Sequence, residues 1–123
     1  MLRFAAEGRS LSITTEQLGV PTNANDLAKG ILKVINANSK EFGTYHFCNT
    51  GSATWYDFAK AIFVHTGQEN SVKLAKTDHY RTFAKRPAYS ILDVSRFRET
   101  FQMEIPEWEE SLKGLVEKTK KVN

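Results

Sequence analysis

The sequence predicts an α/β fold of about four helices and a few short strands. Three stretches carry that expectation. In Gly43–Phe63, the β-prone run Thr44-Tyr45-His46-Phe47 leads into Asn49-Thr50-Gly51-Ser52, residues that suit a tight turn. Thr54-Trp55-Tyr56-Asp57 then has the form of a capping box, and Trp55, Phe58, Ala59, Ile62 and Phe63 recur at i, i+3, i+4, i+7, i+8 as one apolar helical stripe. In the second stretch, Leu27, Ile31, Val34 and Ile35 recur at helical spacing behind Asn23 and Asn25, either of which can cap. The third is a closing helix behind Pro106, with Trp108, Leu112, Leu115 and Val116 as its stripe and Pro106 in the first turn, where a missing N–H does no harm.

The remaining segments follow in order. Met1–Glu7 reads as the end of a helix, with Leu2, Ala5 and Ala6 apolar and Gly8 as its stop, so the chain is expected to begin within an element and to be part of something longer. Leu11-Ser12-Ile13-Thr14 alternates as a short strand, and Thr15–Thr22 is a loop by its Gly and Pro. Gly30 sits inside the second helix, where it costs ~1 kcal/mol of propensity and allows close packing. Asn36–Glu41 is a polar linker. The central helix runs out at His65-Thr66-Gly67, and Val72–Ala75 is a candidate strand. Thr77–Pro87 is irregular and rich in Tyr, Arg and Lys; Asp93 caps a short helix over Val94–Thr100.

Composition narrows the function classes. The 123 residues are one domain's worth, residues 1–123 being read as a single domain, and 41% hydrophobic with 25% charged residues is ordinary for a globular chain. No apolar run approaches the ~18–20 residues that span a bilayer, and the start lacks a signal peptide's apolar core. The single cysteine, Cys48, cannot form an internal disulfide; it is expected to be a buried structural thiol in a reducing, cytoplasmic setting. A formal net charge of +3 permits an anionic partner without demanding one. Bases concentrate in 73–98 (Lys73, Lys76, Arg81, Lys85, Arg86, Arg96, Arg98), which is either a solvated face or a phosphate-facing patch. Lys118, Lys120 and Lys121 complement a helix C-terminus. His46 is expected to pack in the core strand, and His65 and His79 lack partners at metal spacing.

Five phrases, in order and spread over nearly the whole chain, point to a family. They are Glu16-Gln17-Leu18-Gly19-Val20-Pro21-Thr22 with Asp26-Leu27-Ala28; Gly43-Thr44-Tyr45-His46; Thr54-Trp55-Tyr56-Asp57-Phe58-Ala59; Arg86-Pro87-Ala88-Tyr89-Ser90-Ile91-Leu92-Asp93; and Pro106-Glu107-Trp108. Together they resemble the C-terminal substrate-binding portion of the dTDP-4-dehydrorhamnose reductases, which are extended short-chain dehydrogenase/reductases. The resemblance implies an enzyme that reduces the 4-keto group of dTDP-4-dehydro-L-rhamnose with NADPH, giving dTDP-L-rhamnose for cell-surface polysaccharide. It also implies that an upstream Rossmann half, the partner of this chain, holds the cofactor and supplies the catalytic Tyr and Lys. In this chain the seven glycines form no GxGxxG or GxxGxxG, so the Rossmann half is absent and the chain alone is expected to bind no NADPH and to be inactive. Tyr56 and Lys60 satisfy YxxxK, but in a stretch that matches the helix start of another phrase, and they read as amphipathic surface.

The resemblance implies no catalytic residue here and four candidate substrate contacts. In related enzymes an Arg-Pro segment lies near the substrate diphosphate, so Arg86 is the leading candidate; the alternative is an arginine tying its loop to a helix end. Tyr80, a second candidate, shares that loop with Lys85. Gln17 and Thr22 border the expected dTDP-sugar cleft and either touch substrate or order the turn. Some relatives use Mg²⁺ at a dimer contact, but Asp26 is the only acid near Asn25 and Lys29, so no metal is expected. A non-catalytic module of the same fold family, like the regulatory β-subunit of methionine adenosyltransferase, is the alternative. A nucleic-acid-binding domain is set aside because Trp55, Phe58, Phe63 and Trp108 fit core stripes. The central strand, unpaired without its Rossmann sheet, leads to the expectation of self-association.

Overall fold

The computed structural model describes residues 1–78 and 83–120. They form α1 (Leu2–Ala6), β1 (Leu11–Thr14), β2 (Leu18–Gly19), α2 (Ala24–Asn36), β3 (Ala53–Thr54), α3 (Trp55–Thr66), β4 (Leu74–Thr77), α4 (Ser95–Phe101) and α5 (Trp108–Lys120). This is the α/β arrangement expected, with five helices. β1 pairs parallel to β4, Leu11 opposite Leu74 through Thr14 opposite Thr77, and β2 pairs antiparallel to β3. Among the described residues no helix is long and apolar enough to cross a membrane.

Local chemistry sets most element ends. The Asn23 side chain caps α2 by accepting from the Asn25 N–H at 2.9 Å. At α3 both arms of the capping box close: Thr54 Oγ1 accepts from the Asp57 N–H at 3.1 Å and Asp57 Oδ2 from the Thr54 N–H at 2.9 Å. Gly67, left-handed at φ 72°, ends the helix. α4 starts at Ser95, one residue later than expected, because Asp93 accepts from the Ser95 N–H from two residues upstream instead of serving as its cap residue. β4 lies at 74–77, where the expectation was 72–75; β1 fixes that register. Pro106 precedes α5, and its carbonyl accepts from the Thr50 N–H at 3.1 Å.

Two apolar clusters form. One gathers Ala53, Ala61, Trp108 and Leu112, with Val20, Phe58, Ile62 and Val116 against it. The other gathers Phe97, Phe101 and Ile105, with Tyr45, Phe47, Val94 and Met103 around it; the Phe47 and Phe97 rings meet edge to face at 5.1 Å. A buried polar knot adjoins the start of α2 and α5. Asn49, 1% exposed, accepts from the Asn23 N–H through Oδ1 at 2.8 Å. Its Nδ2 hydrogens are shared among Asp26 Oδ2 (3.0 Å), the Pro106 carbonyl (3.1 Å) and Ser111 Oγ (3.1 Å). Ser111 Oγ donates to Asp26 Oδ2 at 2.5 Å, and Lys29 Nζ donates to Asp26 Oδ1 at 2.9 Å. Burial pushes the Asp26 carboxyl up, but these hydrogen bonds and the Lys29 charge outweigh it and hold it below the ordinary carboxylate range.

Four expectations are corrected. The α2 stripe is not buried: Leu27, Ile31, Val34 and Ile35 are exposed, and the face turned inward carries Asp26 and Gly30, roughly a quarter turn away. Thr44–Phe47 is irregular and belongs to no ladder, because no described strand lies beside it; Tyr45 and Phe47 instead pack on α4. His46, between them, is exposed and not packed. Trp55, at the open end of its stripe, and Leu115, at the edge of its own, are exposed, whereas Phe63, Trp108 and Leu112 are buried. Cys48 is buried as expected; burial pushes its thiol up, which makes it a poor nucleophile.

Gly30 is required by contact. A Cβ there would lie 2.7 Å from the Phe47 ring. Gly30→Ala, which ordinarily gains ~1 kcal/mol of helix propensity, is expected here to lose about 1–3 kcal/mol through overpacking, read as a lower urea midpoint.

Asp26 gives a pH signature. Its folded pKa is depressed, so its contribution is fully present above the unfolded value of about 3.9 and is lost as pH falls below that through the folded pKa. Asp26→Asn is expected to be less stable at pH 7 and to show a shallower fall in urea midpoint than the parent chain as pH drops below about 4.

Candidate functional site

Three segments far apart in sequence meet at β2. On one side Leu18 and Gly19 pair with Thr54 and Ala53 of β3. On the other, the Leu18 N–H donates to the Ala88 carbonyl at 2.8 Å and the Ser90 N–H donates to the Leu18 carbonyl at 3.0 Å. The loop 17–22, the start of α3 and the segment 86–90 are thereby fastened by main chain. The apposition is close: a Cβ on Gly19 would sit 3.1 Å from Ser90 Oγ.

Two adjacent cavities open where these segments join. The first, of about 540 Å³, has Leu18, Val20, Pro21, Phe58 and Pro87 as apolar walls. The second, of about 600 Å³, lies toward β1 and is lined by Ser12, Ile13 and Thr14. Gln17, Trp55 and Arg86 line both. No carboxylate among the described residues lines either cavity, and Arg86 is the only lysine or arginine that does.

Gln17, Thr22 and Arg86 therefore meet at one cleft. Gln17 Oε1 accepts from Trp55 Nε1 at 3.2 Å, a bond across 38 residues, so Gln17 orients an indole as well as lining the wall. Thr22 Oγ1 donates to the Val20 carbonyl at 3.4 Å, the local bond that orders a turn, while lining the first cavity. Arg86 is exposed and makes no hydrogen bond or ion pair among the described residues. Three other cations of the basic stretch are engaged: Lys76 over the Tyr56 ring at 5.0 Å, Arg96 over Tyr45 at 4.5 Å, and Arg98 with Glu104 at 2.9 Å. Tyr80 lies outside the described residues. Tyr56 and Lys60 line neither cavity.

Sequence reasoning missed Trp55 as a site residue. Periodicity assigns it to the core stripe, yet as the first residue after the Thr54 cap it stands at the mouth of the cleft, 52% exposed. The signal available was its place beside the Gly51-Ser52 turn, at a helix N-terminus facing loops.

Among the described residues neither a phosphate cradle at Gly51 nor a cluster of metal ligands is formed. Gly51, the glycine nearest a helix N-terminus after a turn, has its open side filled by Glu107 Oε1, 2.6 Å from where a Cβ would lie, so a phosphate finds a carboxylate instead of space. The Asp26 carboxylate is saturated by Ser111, Asn49 and Lys29. No group of three His, Cys, Asp or Glu placed to hold a metal ion occurs among the described residues.

The fold is that of a substrate-binding portion: a family model described as the RmlD substrate binding domain matches residues 1–121, and the chain belongs to that family. Relatives carry a more particular name. The chain is 33% identical to the dTDP-4-dehydrorhamnose reductase of Aggregatibacter actinomycetemcomitans over 94% of its own length and 42% of that protein's. It is 34% identical to the enzyme of the same name from Sinorhizobium fredii, with the same coverage. Its fold matches the dTDP-4-dehydrorhamnose reductase of Bacillus anthracis, solved in complex with NADP, with a TM-score of 0.84 and 35% identity over 96% of this chain and 41% of that one. The chain thus spans about two fifths of the length of the relatives it matches.

Thr54 joins the cleft to the helix that carries Trp55. Thr54→Ala removes the hydroxyl arm of the capping box and is expected to cost about 0.5–2 kcal/mol, measured by urea unfolding.

Proposed function

We propose that residues 1–123 form one substrate-binding domain of a longer NADPH-dependent reductase, the part that holds a dTDP-sugar while the upstream half reduces it. By analogy with the relatives, the reaction is the conversion of dTDP-4-dehydro-L-rhamnose to dTDP-L-rhamnose for polysaccharide synthesis. The observation that carries this reading is Arg86: a guanidinium without a partner among the described residues, placed where two cavities join and no described carboxylate competes. Its planar fork matches paired oxygens of a diphosphate, and the cavities on either side give room for the groups attached to that diphosphate. Hydride donor, proton donor and cofactor cradle are assigned to the upstream half.

The α2 stripe supports the same division of labour. Leu27, Ile31, Val34 and Ile35 present apolar area to solvent on a helix whose Gly30 meets Phe47 of the unladdered segment Thr44–Phe47. A cofactor-binding half that lays a sheet edge along 44–47 and a face against α2 removes that area from water, at roughly 25 cal/mol per Å². Without that half, the same surface favours self-association.

Titrating the chain with thymidine diphosphate by calorimetry tests the reading. The parent chain is expected to bind, and Arg86→Ala to weaken binding about tenfold or more, with Arg86→Lys between them. Equal binding by the parent and Arg86→Ala counts against the proposal.

A further inference from the structure

We propose that Trp55 is the platform on which the nucleobase of the bound nucleotide lies, with Gln17 setting the plane of its indole. The inference rests on the cleft being a sugar-nucleotide site and adds to that reading the residue that holds the base.

The exposure of Trp55 is the first observation. Its partner in type, Trp108, is 6% exposed in the core, whereas Trp55 is 52% exposed at a cleft. The second is the bond from Trp55 Nε1 to Gln17 Oε1 at 3.2 Å. Indole has one donor, and here it is committed, so what the side chain offers a ligand is its two π faces. Gln17 is itself in the segment clamped by β3 and by 88–90, so the indole is held before a ligand arrives. Little rotamer freedom is then left to lose on stacking.

The third observation is that Trp55 and Arg86 line the same two cavities. An aromatic face and a guanidinium on one cleft match a nucleoside diphosphate, in which a π system and a paired anion are separated by one sugar. Both cavities mix apolar walls with hydroxyls: Leu18, Val20, Pro21, Phe58 and Pro87 stand beside Thr22, Thr54 and Ser90 in the first, and Ile13 beside Ser12 and Thr14 in the second. Either cavity has apolar wall for a base and hydroxyls for a sugar, and Trp55 and Arg86 stand where the two join. The base therefore lies against Trp55 and the diphosphate at Arg86.

Tryptophan emission and calorimetry, with thymidine diphosphate and inorganic pyrophosphate as probes, test this. Thymidine diphosphate is expected to quench the emission of the parent chain, and pyrophosphate to leave it unchanged. Trp55→Ala is expected to weaken thymidine diphosphate binding about tenfold and leave pyrophosphate binding as in the parent. Trp55→Phe, which keeps an aromatic face, is expected to retain most of the affinity; the emission of buried Trp108 reports that each variant is folded. Arg86→Ala is expected to weaken both probes. Thymidine diphosphate binding that depends on Arg86 but is the same in the parent, Trp55→Ala and Trp55→Phe overturns the Trp55 assignment and leaves the cleft reading standing. A parent chain that binds neither probe overturns both.

Discussion

The structure depends on one buried amide. Asn49 reaches the backbone of Asn23, the carboxylate of Asp26, the carbonyl of Pro106 and the hydroxyl of Ser111, and so fixes where α2 begins, where the 49–51 turn sits and where α5 starts. The turn is further bound to the α5 entry, since the Thr50 N–H donates to the Pro106 carbonyl and the Trp108 N–H donates to the Thr50 carbonyl, both at 3.1 Å. Once α5 is placed, Trp108 meets Phe58 edge to face at 6.1 Å and seats α3. α3 in turn presents Thr54 and Trp55 to the cleft. A polar network this fully bonded specifies one arrangement, because an alternative packing leaves several buried groups unpaired at once.

The site inherits its rigidity from this arrangement without containing any of it. Its walls are loop segments, yet β2 ties them on both sides by main-chain bonds, which do not depend on which side chains line the cavity. Side chains at the mouth are thus free to be chosen for chemistry. The basic stretch divides accordingly: Lys76, Arg96 and Arg98 brace aromatic rings or a carboxylate, whereas Arg86 faces open space.

What could be read from the sequence was local. The capping box of α3, its stop at Gly67 and the Asn23 cap each depend on residues within a few positions. The meeting of Gln17, Thr22 and Arg86 in one cleft follows the family phrases that contain them. What could not be read depends on neighbours distant in sequence. The α2 stripe announces an amphipathic helix but not what lies against it. The β-prone run Thr44–Phe47 needs an adjacent strand to become one. Asn49 looks like turn chemistry, and its partners at 23, 26, 106 and 111 are invisible to any local pattern. Trp55 was misplaced for the opposite reason: periodicity extends a stripe to the helix end, where packing has already run out.

The parallel pairing of β1 with β4 has a kinetic consequence. Leu11 and Leu74 are more than sixty residues apart, and α2 and α3 lie between them. Closing so long a loop is entropically costly before the ladder repays it, so this pairing forms behind the helices and the short-range caps. Ser12 and Thr14 on β1 line the second cavity, so that half of the cleft waits on this pairing.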